Sequence, residues 1–309
     1  MNKRKVIVLT GPTAVGKTKL SIELAKKIGG EIISADSMQI YRYMNIGSAK
    51  IKPEEMRGVP HYLVDCLLPK EEFNVTVFQS MAKKAMVEIW LKNKIPIIVG
   101  GTGFYIQSVL YDIDFTENND DGKLRKELEE TATQKGNGYL HEMLREVDPQ
   151  AAEEIHENNV KRVIRALEYY RLTGEKISEH NKQQREKSSP YDVSFFVLND
   201  KRELLYNRID QRVDEMMKEG LLEEVKQLQN MGYDRTYISM QGLGYKEIFA
   251  YLEGEITLEE AVYIIKRDTR HFAKRQITWF KRERDVIWIN KDQFQHDDEK
   301  ILNYMMERI

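Results

Sequence analysis

Short apolar runs alternate with amphipathic segments along the first hundred residues of the chain. The apolar runs are too short for helices and therefore predict buried strands. These strands span residues 6–9, 31–34, 61–64 and 95–99. Apolar residues at helical spacing predict helices over residues 19–27 and 77–92. Because strands that alternate with helices form a parallel sheet, the pattern predicts an α/β fold with a doubly wound parallel sheet.

The pattern changes between residues 114 and 190. Strand signals disappear there, and the predicted helices span residues 123–135, 139–147 and 160–172. Beyond this block, strands are predicted again at residues 193–198 and 286–289, with helical patterns at 204–231 and 258–281. We therefore expect a P-loop core formed by residues 1–113 and 191–309, and a helical insertion domain at residues 114–190.

The first predicted strand runs directly into a loop with the pattern G-x-x-x-x-G-K-T. The glycines let successive backbone N–H groups turn toward a phosphate, and the following helix directs its positive dipole end to the same place. Lys17 adds a mobile cation, and the Thr18 hydroxyl is a candidate ligand for Mg²⁺. We therefore predict that this loop binds a di- or triphosphate. Its residues are Gly11, Pro12, Thr13, Ala14, Val15, Gly16, Lys17 and Thr18.

Two further residues follow predicted strands, at the edge where a parallel sheet binds its ligand. Asp36 is a candidate general base, although an aspartate in this position also suits a helix cap. Thr102 is a candidate hydrogen-bonding group for a substrate, or a cap for the next helix. It stands where a nucleotide hydrolase carries a magnesium-binding aspartate. The missing acid argues against an ATP- or GTP-driven motor and suits an enzyme in which the phosphate is the leaving group.

Composition and charge narrow the class of protein. With 48 Lys and Arg against 50 Asp and Glu, the net charge is −2 and gives no global basic signature. The single cysteine, Cys66, excludes a disulfide framework and a cysteine-based zinc site, fits a reducing cytosol and is expected in the core. We find neither the pattern of a signal peptide nor an apolar run of the ~20 residues that a membrane span needs. We therefore expect a cytoplasmic protein.

Basic residues concentrate in two helical segments. Residues 266–284 hold eight lysines and arginines against two acidic residues, and the spacing predicts one helical face with Arg267, Arg270, Lys274 and Lys281. A basic stripe on a packed helix is an electrostatic footprint for RNA, although a solvated helix face has the same composition. The second cluster, at residues 161–165, shifts the balance toward a polyanionic partner.

Two other features suit contact with a nucleotide or a phosphate. Arg208 and Arg212 lie four residues apart on the helix after the strand at residues 193–198, and both could point back at the phosphates. The segment at residues 241–246 combines glycines with hydrogen-bonding and aromatic groups, although an ordinary turn would look the same.

Six motifs, in order along nearly the whole chain, resemble those of the tRNA dimethylallyltransferase family, also called tRNA isopentenyltransferase. They are GPTAVGKT (11–18), SADSMQIYR (34–42), GGTGFY (100–105), KRVIRALE (161–168), MQGLGYKE (240–247) and KRQITWFKR (274–282). The resemblance implies a P-loop-kinase-like core that moves the prenyl group of dimethylallyl diphosphate to the exocyclic amine of the adenosine 3′ of the tRNA anticodon. It also implies a requirement for Mg²⁺ and an insertion domain that grips the anticodon stem-loop. The single cysteine matches the bacterial form, since eukaryotic members carry a C-terminal zinc finger.

The chemistry of this transfer assigns roles to the candidate residues. Asp36 would take the proton of the adenine amine, with Thr102 orienting that amine. Lys17, Arg208 and Mg²⁺ on Thr18 would stabilise the charge that grows on the departing diphosphate. The residues expected to contact tRNA are Asp36, Ser37, Met38, Gln39, Thr102, Lys161, Arg162, Val163, Ile164, Arg165, Gln241, Gly242, Tyr245, Lys246, Lys274, Arg275, Gln276 and Lys281. We expect a monomer, because tRNA recognition needs only the surfaces of one chain.

Three alternatives stay open at this point. A P-loop small-molecule kinase explains the phosphate loop and Asp36 but leaves the basic clusters without a role. A non-catalytic RNA-binding nucleotide switch leaves Asp36 idle. A prenyltransferase of free adenine nucleotides shares the chemistry but needs neither the insertion nor the basic helix.

Overall fold

The computed structural model describes residues 3–115 and 122–309, and in it the strands form one parallel sheet. The strand order is β3-β2-β4-β1-β5-β6. The strands are β1 (Lys5–Thr10), β2 (Gly30–Ala35), β3 (His61–Tyr62), β4 (Ile95–Gly100), β5 (Asp192–Asn199) and β6 (Val286–Asn290). β1 is central, with Ile7 beside Ile97 of β4 and beside Ser194 of β5. The parallel α/β sheet predicted from the alternating pattern is confirmed.

Some of the helices pack on the sheet, and the others form a separate helical region. In the first part of the chain they are α1 (Lys17–Ile28), α2 (Val75–Leu91) and α3 (Gly103–Leu110). They continue with α4 (Lys123–Lys135), α5 (Asn137–Val147), α6 (Pro149–Glu154), α7 (Val160–Thr173) and α8 (Ile177–Glu186). The last ones are α9 (Arg202–Glu219), α10 (Leu221–Asn230), α11 (Tyr245–Leu252), α12 (Leu258–Phe280) and α13 (Asp298–Met306). Two 3₁₀ turns span Ile238–Gln241 and Lys291–Phe294.

The described chain divides into two compact units. The first contains the residues up to Leu110 and from Ser189 onward, and its core packs β1, β4 and β5 against α1, α9 and α13. The second runs from Tyr111 to Ser188 and has a core of its own between α4, α5 and α7. In the second unit the buried Asp148 carboxylate accepts from the Ala151 amide at 3.0 Å and from the Ser178 hydroxyl at 2.6 Å, which ties α6 to α8.

Two local expectations change with the structure, and a third becomes more specific. The strand predicted at residues 61–64 ends at Tyr62, because Leu63 takes a positive φ of 61° that does not fit an extended strand. The helical pattern at residues 204–231, which the sequence allows to be one helix or two, forms two helices separated at Gly220 with φ 101°. Cys66 is exposed instead of buried, because its segment forms a surface loop after β3. Within the described residues, no helix is both long enough and apolar enough to span a membrane.

Candidate active site at the carboxyl edge of the sheet

The predicted phosphate loop links β1 to α1 at the carboxyl edge of the sheet. Gly11 has φ +143°, and a Cβ there would lie 2.3 Å from the Leu198 carbonyl oxygen of β5, so only glycine fits. Gly16 takes a left-handed φ of +96° as the N-cap of α1. The loop therefore has the strand–turn–helix arrangement in which backbone N–H groups and the helix dipole face an anion.

Lys17 is the centre of charge in this loop. Its ammonium donates to the carbonyls of Gly11 at 3.0 Å and Pro12 at 2.9 Å. Burial lowers the pKa of Lys17 to about 8, while the charge of Asp36 raises it and the charge of Arg212 lowers it further. The charges of one acid and one arginine from outside the loop therefore act on the Lys17 ammonium.

Asp36 and Thr102 lie together at the ends of two neighbouring strands. The Thr102 amide donates to the carbonyl of Ala35, the residue before Asp36, at 3.3 Å. One Asp36 carboxylate oxygen accepts from the Met38 amide at 2.9 Å, so the residue also forms the local turn that an aspartate suits here. The other oxygen accepts no hydrogen bond from the described residues. Asp36 thus forms the local turn with one carboxylate oxygen and keeps the other oxygen available.

Gln276 of α12 bridges two segments of the site. Its amide oxygen accepts from the Thr13 amide at 2.9 Å, and its amide nitrogen donates to the Gly101 carbonyl at 3.0 Å. The side chain is only 6% exposed and both ends are occupied. Gln276 was expected to contact tRNA, and the structure instead makes it a link between the phosphate loop and the segment after β4.

The structure separates the two arginines of α9. Arg208 pairs with the buried Asp200 at 2.7 Å, and His296 contacts the same carboxylate at 3.0 Å. Burial raises the pKa of Asp200, but the hydrogen bonds from His296, the Lys201 amide and Arg208 outweigh it and hold the pKa below its ordinary value.

Arg212 is the arginine of α9 whose charge acts on Lys17 of the phosphate loop. Burial lowers its pKa, and the charge of Asp36 opposes that shift. The charge of Arg212 acts on Lys17 and the charge of Asp36 acts on Arg212, which favours Arg212 over our first choice, Arg208, as the phosphate-facing arginine. The four-residue spacing of the pair was the available signal, but it could not tell which member turns inward.

Tyr245 is a buried structural residue and not a surface contact for tRNA, which corrects a second expectation. Its hydroxyl donates to Glu224 at 2.7 Å. The same carboxylate accepts from the amides of Asn45 and Ile46, both at 2.8 Å, and of Gly47 at 3.1 Å. Glu224 and Tyr245 therefore hold the loop that begins with Asp36.

The segments 36–39 and 241–246 are neighbours. A Cβ on Gly242 would lie 2.4 Å from the Met38 methyl group, so the two chains meet there. Ser37, Met38 and Gln39 are half-buried, while Gln241 is exposed and Lys246 is half-exposed beside Glu247. Their polar groups share the surface next to Asp36.

Ion pairs divide the basic stripe of α12. Arg267 pairs with Asp268 at 2.7 Å and Arg270 pairs with Asp210 at 2.5 Å, so the first half of the stripe is neutralised. Beyond them the helix lines an open groove with Trp279 and three cations. The residues of this groove are His271, Lys274, Arg275, Thr278, Trp279 and Arg282. Lys274, Arg275 and Lys281 are exposed, as an electrostatic surface requires.

The helical unit shows a similar division within α7. Lys161 and Arg162 are exposed and Arg165 is half-exposed. Val163 and Ile164, which were also expected to contact tRNA, are buried in the core of the unit. The helix period turns these two apolar residues inward, so the expectation is corrected for their side chains.

The described residues contain no cluster of three or more His, Cys, Asp or Glu side chains that could hold a metal ion. Thr18 is exposed on the first turn of α1. In phosphate sites Mg²⁺ keeps several waters and is held by substrate phosphates with few protein ligands, which in P-loop proteins include the hydroxyl of the loop Ser or Thr. Thr18 supplies that hydroxyl.

Comparison with known proteins identifies the family. The model of the family described as IPP transferase matches residues 39–283. A tRNA dimethylallyltransferase of Lachnoclostridium phytofermentans is 64% identical over 302 residues, covering 98% of this chain and 96% of that protein.

Solved structures give the same result. The tRNA isopentenylpyrophosphate transferase of Bacillus halodurans is 44% identical, with a TM-score of 0.75 and coverage of 99% of this chain and 97% of that one. A eukaryotic dimethylallyltransferase acting on tRNA is 33% identical, with a TM-score of 0.80 and coverage of 93% and 74%. These matches show that the chain belongs to the IPP transferase family, which the motifs of the sequence had indicated.

Proposed function

We propose that this protein transfers a dimethylallyl group from dimethylallyl diphosphate to the exocyclic amine of the adenosine 3′ of the anticodon in tRNA, releasing diphosphate. Relatives with up to 64% identity among those compared are named tRNA dimethylallyltransferase, and a structural neighbour acts on tRNA. The observation that carries the proposal is the position of Asp36, which acts electrostatically on Lys17 and lies next to the backbone contact of Thr102.

The transfer step uses the groups at this edge in distinct roles. A bond forms between the adenine amine nitrogen and the first carbon of the prenyl group, while the bond from that carbon to the diphosphate oxygen breaks. The oxygen keeps the electron pair, and the amine proton goes to the available oxygen of Asp36. The Thr102 hydroxyl orients the amine. Each atom and charge is thereby accounted for between acceptor, base and leaving group.

The developing charge on the diphosphate is stabilised by the loop 11–18. Its backbone N–H groups and the dipole of α1 act with Lys17, and we assign to Arg212 the part first given to Arg208. Thr18 would hold Mg²⁺, which when bound neutralises diphosphate charge. Removal of one such preorganised donor in other enzymes costs ~10²–10³ in turnover.

The proposed tRNA contacts are residues that are at least partly exposed to solvent. On the first unit they are the segment 36–39, Gln241, Gly242 and Lys246, the α12 cations Lys274 and Arg275, and Lys281, which follows α12. On the helical unit they are Lys161, Arg162 and Arg165. The target base must leave its stack, which costs a few kcal/mol and is least costly in a loop such as that of the anticodon. We expect one chain to suffice and the reaction to take place in the cytoplasm.

The test is a single-turnover assay of label transfer. Protein and Mg²⁺ are mixed with unmodified tRNA and labelled dimethylallyl diphosphate, and in parallel with γ-labelled ATP. We expect prenyl label in tRNA and none when free AMP replaces the tRNA. Phosphate transfer from ATP without prenyl transfer would make the protein a kinase, and prenylation of AMP would make it a nucleotide prenyltransferase.

The role of Asp36 is tested by Asp36→Asn, which keeps the shape and the turn-forming oxygen. Turnover should fall by ~10²–10⁴ because the base is lost, while pyrophosphate and tRNA affinities stay close to those of the unmodified protein. Glu72→Gln, a surface carboxylate of the same unit, is the control. Near-normal turnover of Asp36→Asn would remove Asp36 as the base.

A further inference from the structure

Lys291 reaches the phosphate loop from a distant strand. It follows β6 at the same edge of the sheet and begins the 3₁₀ turn Lys291–Phe294. Its side chain is 11% exposed, and its ammonium nitrogen would lie 3.2 Å from a Cβ placed on Gly16. A nearly buried ammonium therefore packs directly against the N-cap of α1.

The charges around this ammonium are unbalanced. The first turn of α1 contains Lys17 and Lys19 and no acidic residue, although a helix N-terminus disfavours positive charge. Lys291 adds a third ammonium. Asp298 pairs with Lys291 at 3.3 Å and with Lys19 at 3.0 Å, so two of the lysines share one carboxylate. This local excess of positive charge calls for an anion.

The ammonium of Lys291 also has donors to spare. Lysine carries three N–H donors. Asp298 is the acceptor that Lys291 contacts within the part of the chain that the structure describes. Two N–H donors of Lys291 thus remain beside the loop. The side chain is restrained because its aliphatic part is buried and its ammonium is paired with Asp298.

We propose that Lys291 is a second cationic ligand of the diphosphate, binding it from the Gly16 side while Asp298 holds the lysine in place. The inference rests on the proposed function in one respect, that the loop 11–18 binds a diphosphate. It adds a residue from outside the six motifs and outside the matched range 39–283. Lys17, on its own helix, and Lys291, from beyond β6, then enclose the diphosphate from two elements.

The test measures the binding of inorganic pyrophosphate with Mg²⁺ to the full chain by calorimetry. Lys291→Gln should weaken binding by roughly 10–100-fold, the range for loss of one hydrogen bond to a charged group. Lys300→Gln is the control, because Lys300 lies on the same helix as Asp298 but pairs with Asp297 and is 58% exposed, and it should stay within about twofold. Lys291→Arg, which keeps the charge, should recover part of the affinity.

The outcomes separate this inference from the proposed function. Binding by Lys291→Gln within about twofold of the unmodified protein would overturn the inference and leave the lysine as a support for Gly16. Lys17→Ala tests the loop itself, and unchanged binding there would refute the diphosphate site whatever Lys291 does. If Lys291→Gln folds poorly, Lys291→Met keeps the buried aliphatic stem and replaces it in the same measurement.

Discussion

Loss of the Glu224 carboxylate should destabilise the first unit more than loss of any one of its donors. Each Glu224 oxygen accepts two hydrogen bonds, one from the amides of Asn45 and Ile46 and the other from Gly47 and Tyr245. In Glu224→Gln an NH₂ group replaces one of these oxygens, so two donors lose their acceptor. At about 1–3 kcal/mol for each unsatisfied buried donor, the cost is roughly 2–6 kcal/mol.

Tyr245→Phe removes one donor and leaves the carboxylate with its three amides. The lost hydrogen bond to a charged group is expected to cost about 1.5–3 kcal/mol. Tyr251→Phe is the matched control, since Tyr251 lies on the same helix and its hydroxyl bonds to no described residue. Its change in unfolding free energy should stay within about 0.5 kcal/mol.

Urea denaturation of the single variants and of the double variant measures these costs. Because Glu224 and Tyr245 share a hydrogen bond, their effects should be non-additive by about 0.5–3 kcal/mol. Additive effects, or a Tyr245→Phe variant as stable as Tyr251→Phe, would refute the view that this pair holds the loop. The same variants are also measured in the single-turnover assay. If the loop positions Asp36, their turnover should fall together with their stability.

Three further predictions concern the charges of the site. Burial lowers the pKa of Lys17 to about 8, so the ammonium loses its proton and pyrophosphate affinity should fall as the pH rises through about 8. Calorimetric titrations between pH 7 and 9 measure this fall. The Lys17→Arg variant stays charged and should not show it. Arg212→Gln should lower single-turnover rates by ~10²-fold or more, whereas Arg208→Gln should act mainly on thermal stability; equal rates for both variants would contradict the assignment. Replacement of Arg162 and Arg165 by Gln should weaken tRNA binding in filter assays. The slope of log affinity against log salt concentration should fall by about 0.7–0.9 for each phosphate that the protein no longer neutralises. An unchanged slope would mean that these arginines only contact solvent.

The sheet and the phosphate loop were predictable because their signals are local. The apolar runs of strand length and the eight-residue loop adopt conformations that depend mainly on their own residues. The roles of Gln276, Tyr245 and Lys291 were not predictable in this way. Each depends on a partner far along the chain, as with Gln276 and Thr13, which are 263 residues apart. A polar residue in a motif indicates that its position matters, but the residue type does not say whether it faces a ligand or the protein.

The edge of the sheet explains why a P-loop can serve carbon transfer. A nucleotide hydrolase of the P-loop class carries an acid after the strand beside its loop, which helps to hold Mg²⁺. Here that strand, β4, is followed by Gly101 and Thr102, and the acid, Asp36, follows the neighbouring strand β2. Asp36 therefore does not stand in the position of that metal-binding acid. In our proposal it faces the acceptor amine instead, and the phosphate loop keeps only the task of stabilising a leaving group. In this proposal, the carboxylate after β2, and not after β4, is what suits the loop to carbon transfer.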